Sequence, residues 1–185
     1  MLGILRVLNS QLQRVKTYFW SFFVAMQAKE YEKPLKVNDR TFVGRNAYLG
    51  KNVNFNGLEI SGGGKVSIGD NFHSGPDCLF ITQSHNFDNG EKIPYDSTYI
   101  LKDIIIKDNV WLGSRVIVLG GVVIGEGAII QAGSCVTSDI PDYAIAGGHP
   151  ARVFNMRDVQ HYKNLKDFFS QMVTKQAEKI VLVKK

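Results

Sequence analysis

Between Ile106 and Val136 an aliphatic residue returns at every sixth position: Ile106, Leu112, Val118, Ile124, Ile130 and Val136. Four positions after the first five of these stands a small or β-branched residue, namely Val110, Val116, Val122, Ala128 and Ser134, and glycine follows the aliphatic residue at Gly113 and Gly125. An alternating strand repeats every two residues, so a period of six argues against the strands of a sandwich. It is the period of a parallel β-helix, in which three hexads close one triangular turn of about 18 residues. Each aliphatic side chain then points into the prism and stacks on its counterpart one turn away, roughly 4.8 Å distant. Tight corners between faces favour left-handed backbone, which Gly and Asn supply at least cost.

A second run lies upstream, with Val43-Gly44, Leu49-Gly50, Val53 and Phe55, before the phase slips at Ser61-Gly62-Gly63-Gly64 and resumes at Ile68-Gly69-Asp70-Asn71. Phe80 and Ile106 are 26 positions apart, two more than a multiple of six, so part of the chain must leave the prism between them. The polar stretch 86–103, with Asn89-Gly90 and Pro94, is the expected extruded loop.

The two ends read as helices. Leu5, Leu8, Leu12, Val15, Phe19, Phe22 and Met26 follow three- and four-residue spacings, as do Met156, Val159, Tyr162, Leu165, Phe168 or Phe169, Met172, Val173 and Ile180. Either helix is expected to cover an open end of the solenoid or to pack on a neighbouring subunit. The first has an alternative, contact with a membrane surface, because Tyr18, Phe19, Trp20, Phe22 and Phe23 form an aromatic-rich face beside Arg6, Arg14 and Lys16. The apolar run from Tyr18 to Met26 is shorter than the roughly 20 residues that cross a bilayer, and no small-residue cleavage site follows it. The expected organisation is an N-terminal helical segment (1–36), a β-helix (37–154) and a C-terminal helix (155–185).

Composition narrows the chemistry. Apolar residues make up 44% of the 185-residue chain and charged residues 21%, which suits a compact core and excludes a disordered polyelectrolyte. The net charge of +5 is carried by the ends: residues 37–151 hold eight Lys/Arg against twelve Asp/Glu. That argues against a nucleic-acid-binding core. Two cysteines, Cys78 and Cys135, cannot build a disulfide framework, and no Cys-x-x-Cys pair offers a zinc or redox site. A reducing cytoplasm is the expected location, and both thiols are expected to be small structural residues. Of the four histidines, His85 stands where the regular prism stops and the loop begins, a placement suited to chemistry. A neutral imidazole there could take a proton from a hydroxyl or amine.

Ser84-His85-Asn86, the loop after it, Ile106 to Ser114, Ile130 to Pro141, and Ala146-Gly147-Gly148-His149-Pro150-Ala151-Arg152 together resemble the hexapeptide-repeat acetyltransferases. The similarity is to the sugar O-acetyltransferase branch and covers roughly residues 40–154. It implies a left-handed β-helix, a homotrimer, and acetyl-CoA lying between adjacent subunits, with a sugar or glycolipid acceptor of surface-glycan assembly. By position, His85 matches the catalytic base and Trp111 the aromatic residue beside the site. Ser114, Ala132 and Thr137 match the pantetheine and nucleotide path, and Arg152 the basic residue near the CoA 3′-phosphate. Asn54, Asn56 and Asn86 stand as acceptor contacts. Two departures matter. Ser138 occupies a position that is commonly Lys, so one phosphate contact is weakened or supplied elsewhere. Gly62-Gly63-Gly64 replaces a paired Asp, which points away from a simple galactoside.

Three rival readings remain at this level. An amine acceptor, on an amino sugar or a xenobiotic, would use the same base and thioester. A zinc hydratase of the carbonic-anhydrase kind needs three clustered His ligands, but His73 and His85 are two hexads apart and therefore fall on different faces, so no metal is expected. A non-catalytic scaffold would have no reason to interrupt its coils with a polar loop after a histidine.

Overall fold

The computed structural model describes residues 2–183, with side chains from Arg6 to Ser170 and at Met172. The side chains of Leu5, Val173 and Ile180, expected on the apolar helix faces, lie outside those described. Helix α1 (Leu2–Gln27) opens the chain and helix α2 (Val159–Val183) closes it. Short parallel strands between them stack into three sheets that form the faces of a β-helix of about six turns.

The first face stacks Glu30–Tyr31, Ala47–Leu49, Val66–Ile68, Ile104–Ile106 and Val123–Ile124. The second runs through Leu35–Val37, Val53–Phe55, His73–Ser74, Trp111–Leu112, Ile129–Ile130 and Ala144–Gly148 to an edge strand, Ala151–Met156. The third contains Thr41–Phe42, Leu58–Ser61, Cys78–Ile81, Ile117–Leu119 and Cys135–Val136. The first of these strands, Glu30–Tyr31, falls within the segment expected to be helical.

The six residues that defined the hexad are all buried, and Ile106 stacks on Ile124, Leu112 on Ile130 and Val118 on Val136. Val110, Val116, Val122, Ala128 and Ser134 are buried too, so each hexad sends two side chains inward. Burying one such aliphatic side chain contributes about 1.5–3 kcal/mol, and truncating Leu112 to Ala would cost about 2–5 kcal/mol. The second face permits little bulk where it turns into the third. A Cβ on Gly113 would come within 2.5 Å of the Ala132 backbone nitrogen, so only glycine lets the coils approach there.

Asparagines line one corner. Asn52, Asn71 and Asn109 all have left-handed φ, and their side-chain amides bond in series, Asn52 to Asn71 at 2.9 Å and Asn71 to Asn109 at 3.0 Å. Such a ladder satisfies each amide and selects the residue that tolerates αL backbone.

α1 caps the first coil, but not with its apolar stripe. Ser21 Oγ accepts the Val37 N–H at 2.9 Å, and Gln27 Oε1 accepts the Val43 N–H at 3.0 Å. Val24 is buried, and the Trp20 and Phe23 rings meet Phe42 edge-on at 5.8 Å. Those bonds occupy backbone donors that an open end of the solenoid would leave unpaired. Leu8, Leu12, Val15, Phe19, Phe22 and Met26 are exposed instead.

The extruded element begins earlier than expected. Gln83–His85 pairs antiparallel with Tyr99–Leu101, making a ribbon that leaves the third face after Ile81 and carries residues 86–98 at its tip. The C-terminal helix begins after an N-cap: Asp158 Oδ1 accepts the His161 N–H at 2.9 Å. Tyr162 is buried, with the Arg157 guanidinium 4.9 Å from its ring centroid.

Candidate functional site

His85 is the last residue of the ribbon's first strand, paired with Tyr99. Its imidazole stacks on Tyr95, with centroids 3.5 Å apart and planes 16° apart, and on Tyr99 at 4.7 Å and 36°. The two phenol rings fix the imidazole plane near the ribbon's tip. Its Nδ1 is buried and has no hydrogen-bond partner among the described residues.

The tip is held by Asp96. Its carboxylate accepts the Thr98 hydroxyl and backbone N–H and the Glu91 N–H at 2.8 Å, and these bonds hold its pKa below the ordinary aspartate value. Asn86 Oδ1 accepts the Asn89 N–H at 3.3 Å, which turns this expected acceptor contact partly toward the loop itself. A small cavity of about 230 Å3 lies at the ribbon's base, lined by Ile81, Gln83, Ser84 and Ile100 among others.

The remaining expected residues fall into two groups. Thr137 and Ser138 follow Val136, whose neighbour in register is Val118; Leu119 in turn pairs with Ile81 at the ribbon's base. These two exposed residues thus belong to the corner from which the ribbon springs. Trp111 lies on the second face, 55% exposed, and Ser114 and Ala132 share the corner after it, where the Gly133 N–H donates to Ser114 O at 2.8 Å. Within one chain His85 and Trp111 thus stand on different sheets, the ribbon and the second face. Arg152 is exposed on the edge strand and donates to Ala151 O at 2.9 Å.

The asparagines behave unequally. Asn38 Nδ2 donates to Asn54 Oδ1 at 3.1 Å and to Asn56 Oδ1 at 2.8 Å, and Asn56 Nδ2 donates to Ser74 O at 2.7 Å. Asn56 is thereby spent on the fold at both ends of its amide. Asn54 keeps its amide nitrogen and faces outward in register with Lys36, His73 and, one coil on, Trp111.

His73, weighed in the sequence only as a metal ligand, stands between Asn54 and Trp111. Partial desolvation, and then the charge of Lys36, hold its imidazole below the usual pKa. Tyr95 and Tyr99 were missed; two aromatic residues in a polar loop were the available signal. His73 and His85 sit in different sheets, and among the described residues no three His, Cys, Asp or Glu side chains gather as a metal site. Cys78 and Cys135 are buried, and burial raises the Cys78 thiol above its ordinary pKa, while its Sγ points to Gly75 O and Gly113 O. No helix among the described residues is long and apolar enough to cross a membrane.

Residues 103–138 match the family described as bacterial transferase hexapeptide (six repeats). Galactoside O-acetyltransferase of Escherichia coli K12 is 38% identical over 129 residues, covering 64% of this chain and 60% of that protein. A hexapeptide-repeat containing acetyltransferase of Vibrio cholerae is 30% identical, with 70% of this chain and 72% of that one covered and a TM-score of 0.56. In its complex with acetyl coenzyme A the same protein superposes with a TM-score of 0.61 at 28% identity, over 71% of this chain and 73% of that one. Against the curated relatives it matches first, the chain spans 54% to 60% of their length.

Proposed function

The chain belongs to the hexapeptide-repeat acetyltransferases, and from that premise we propose that it moves an acetyl group from acetyl-CoA to a sugar hydroxyl, with His85 as the base. The observation that carries the reading is the packing of the His85 ring against Tyr95 and Tyr99 on a ribbon that leaves the β-helix. A base must be held in one plane within reach of the hydroxyl, and the ring stack supports the first of these.

The reaction needs few parts. His85 Nε2 takes the hydroxyl proton as the sugar oxygen attacks the thioester carbonyl carbon. The tetrahedral intermediate collapses, the carbon–sulfur bond breaks, and the imidazolium returns the proton to the CoA thiolate. The thioester is already activated, so holding the two reactants together supplies most of the remaining rate.

The site is completed by a second copy. His85 and Asn86 belong to the ribbon and Thr137 and Ser138 to the corner from which it springs, while Trp111 lies on the second face with Ser114 and Ala132 at the corner after it. A homotrimer brings the first group of one subunit against the second of its neighbour, with Arg152 toward the CoA 3′-phosphate, where a guanidinium suits a dianion. Asn54 is the acceptor contact that this geometry retains.

The acceptor is a glycan or glycolipid met at the cytoplasmic side of a membrane. The exposed stripe of α1 supports the membrane part, because it lies opposite the packed face and α1 contains Arg6, Arg14 and Lys16 without a single acidic residue. An amino sugar would be acetylated by the same steps.

Release of thiol from acetyl-CoA, measured over a panel of sugars, amino sugars and nucleotide sugars, tests the reading. His85→Ala should lower kcat by about 10²- to 10⁴-fold with little change in the KM for acetyl-CoA. Transfer at the native rate in that variant would overturn the role of His85.

A further inference from the structure

Between α1 and the second face lies a cleft of about 560 Å3 whose lining includes Gln13, Arg14, Thr17, Tyr18, Lys36 and Asn38. Its charged lining is Arg14 and Lys36, with no carboxylate. The larger concavity along the first face, about 810 Å3, sets Lys29 and Lys107 among Glu30, Glu32, Asp108 and Glu126, so it has no comparable excess. Lys16, the neighbouring cation of α1, is paired with Asp39 at 2.8 Å. Arg14 and Lys36 enter no ion pair among the described residues.

The cleft is built rather than incidental. Gln13 Nε2 donates to Asn38 O at 3.0 Å and Thr17 Oγ1 to Asn38 Oδ1 at 3.2 Å, which ties α1 to the first coil across the cleft floor. Lys36 heads the outward row that continues through Asn54 and His73 to Trp111. Two like charges in one concavity raise each other's energy, and an oxyanion between them reverses that cost with charge-assisted hydrogen bonds.

We propose that this cleft binds a phosphate-class oxyanion carried by the acceptor, with Arg14 and Lys36 holding the charge and the acceptor extending along Asn54 and His73. The acceptor part rests on the acetyl-transfer reading above; the anion site does not. A sugar phosphate or a phosphate-linked glycan is then the preferred substrate class, and an uncharged sugar the poorer one.

Calorimetric titration with inorganic pyrophosphate reads the site without turnover. The native protein should bind it saturably and more weakly as salt rises. The double variant Arg14→Gln/Lys36→Gln should lose at least about 10-fold in affinity, as expected when two charge-assisted contacts go, whereas Lys163→Gln on α2 should match the native protein. In the thiol-release assay the double variant should raise the KM for a phosphorylated sugar by a similar factor and leave the KM for acetyl-CoA and for the unphosphorylated sugar unchanged. An unchanged melting temperature excludes misfolding as the cause.

Absent pyrophosphate binding in the native protein, or undiminished binding in the double variant, overturns the proposal. If pyrophosphate binding behaves as described while no sugar is acetylated, the anion site stands and the acetyl-transfer reading falls. Soluble glycerophosphoglycerol, the phosphatidylglycerol headgroup without its acyl chains, should leave pyrophosphate affinity unchanged; competition by it would give the cleft to lipid headgroups and overturn the assignment to the acceptor.

Discussion

Asp142 illustrates how single side chains hold the corners of the prism. Its Oδ1 accepts from Lys107 Nζ at 3.0 Å and from the Glu126 N–H at 2.8 Å, and these two donors, Lys107 first, hold its pKa below the ordinary aspartate value. Asp108 and Asp70 bridge the same corner two and three coils away, accepting the Asp70 and Lys51 N–H groups respectively, each at 2.8 Å. A carboxylate whose folded pKa is depressed adds stability above its unfolded pKa of about 3.9, and that stability is lost as pH falls through the folded value. Asp142→Asn keeps the oxygen facing Glu126 and removes only the charge. It should therefore destabilise the fold at pH 7 only slightly, by well under about 1 kcal/mol because the pair is exposed, with a small fall in melting temperature, and the difference should shrink at an acid pH below the ordinary aspartate range. Thermal unfolding at the two pH values checks this. These aspartates were not legible as a stack, because each bonds a residue of the adjacent coil that only the register identifies. His85 was legible as the residue at which the repeat stops. Tyr95 and Tyr99 were not, since their stacking depends on how the ribbon folds back.

Among the elements, α1 shows most clearly where periodicity stops being informative. Its apolar spacing correctly marks a helix, and the expected cap on the solenoid is present. The face that makes the cap is the mixed one bearing Ser21, Val24 and Gln27, because the open edge offers backbone N–H groups that need acceptors. The stronger apolar stripe is left outward, with Leu12 67% and Phe19 56% exposed. Leu12→Glu/Phe19→Glu should leave folding intact and strongly reduce sedimentation with anionic vesicles, since it places two negative charges on the stripe. Sedimentation equal to that of the native protein would assign the stripe to another partner. Deleting the helix would be a poorer experiment, because it would also uncover the first coil. The ribbon differs from expectation for a related reason: its departure point is set by the antiparallel pairing of Gln83–His85 with Tyr99–Leu101, which no local pattern reveals.

Across the whole molecule, the downstream coils repeat with a constant offset, Ile106 on Ile124, Leu112 on Ile130 and Val118 on Val136, which is why the fold could be read from residues 106–136. Upstream the stacked partners Thr41 and Leu58, Ala47 and Val66, and Leu58 and Cys78 are unevenly spaced, so the period blurs although the stacking persists. Gly62, with φ of +106°, sits where one such irregularity is absorbed. The proposed site was legible only in part, because its residues divide between the ribbon and the second face, which one chain places on different sheets. That division makes subunit mixing the most direct test of the account. His85→Ala removes the proposed base from one side of each interface, and Ala132→Trp fills the proposed CoA side of the other. Each variant alone should be nearly inactive in thiol release. Co-assembled from equal amounts, they should regain up to about a quarter of native activity, the fraction of interfaces at which two intact sides meet in a cyclic trimer. Mixed assemblies that form and remain as inactive as either parent would contradict a site shared between subunits.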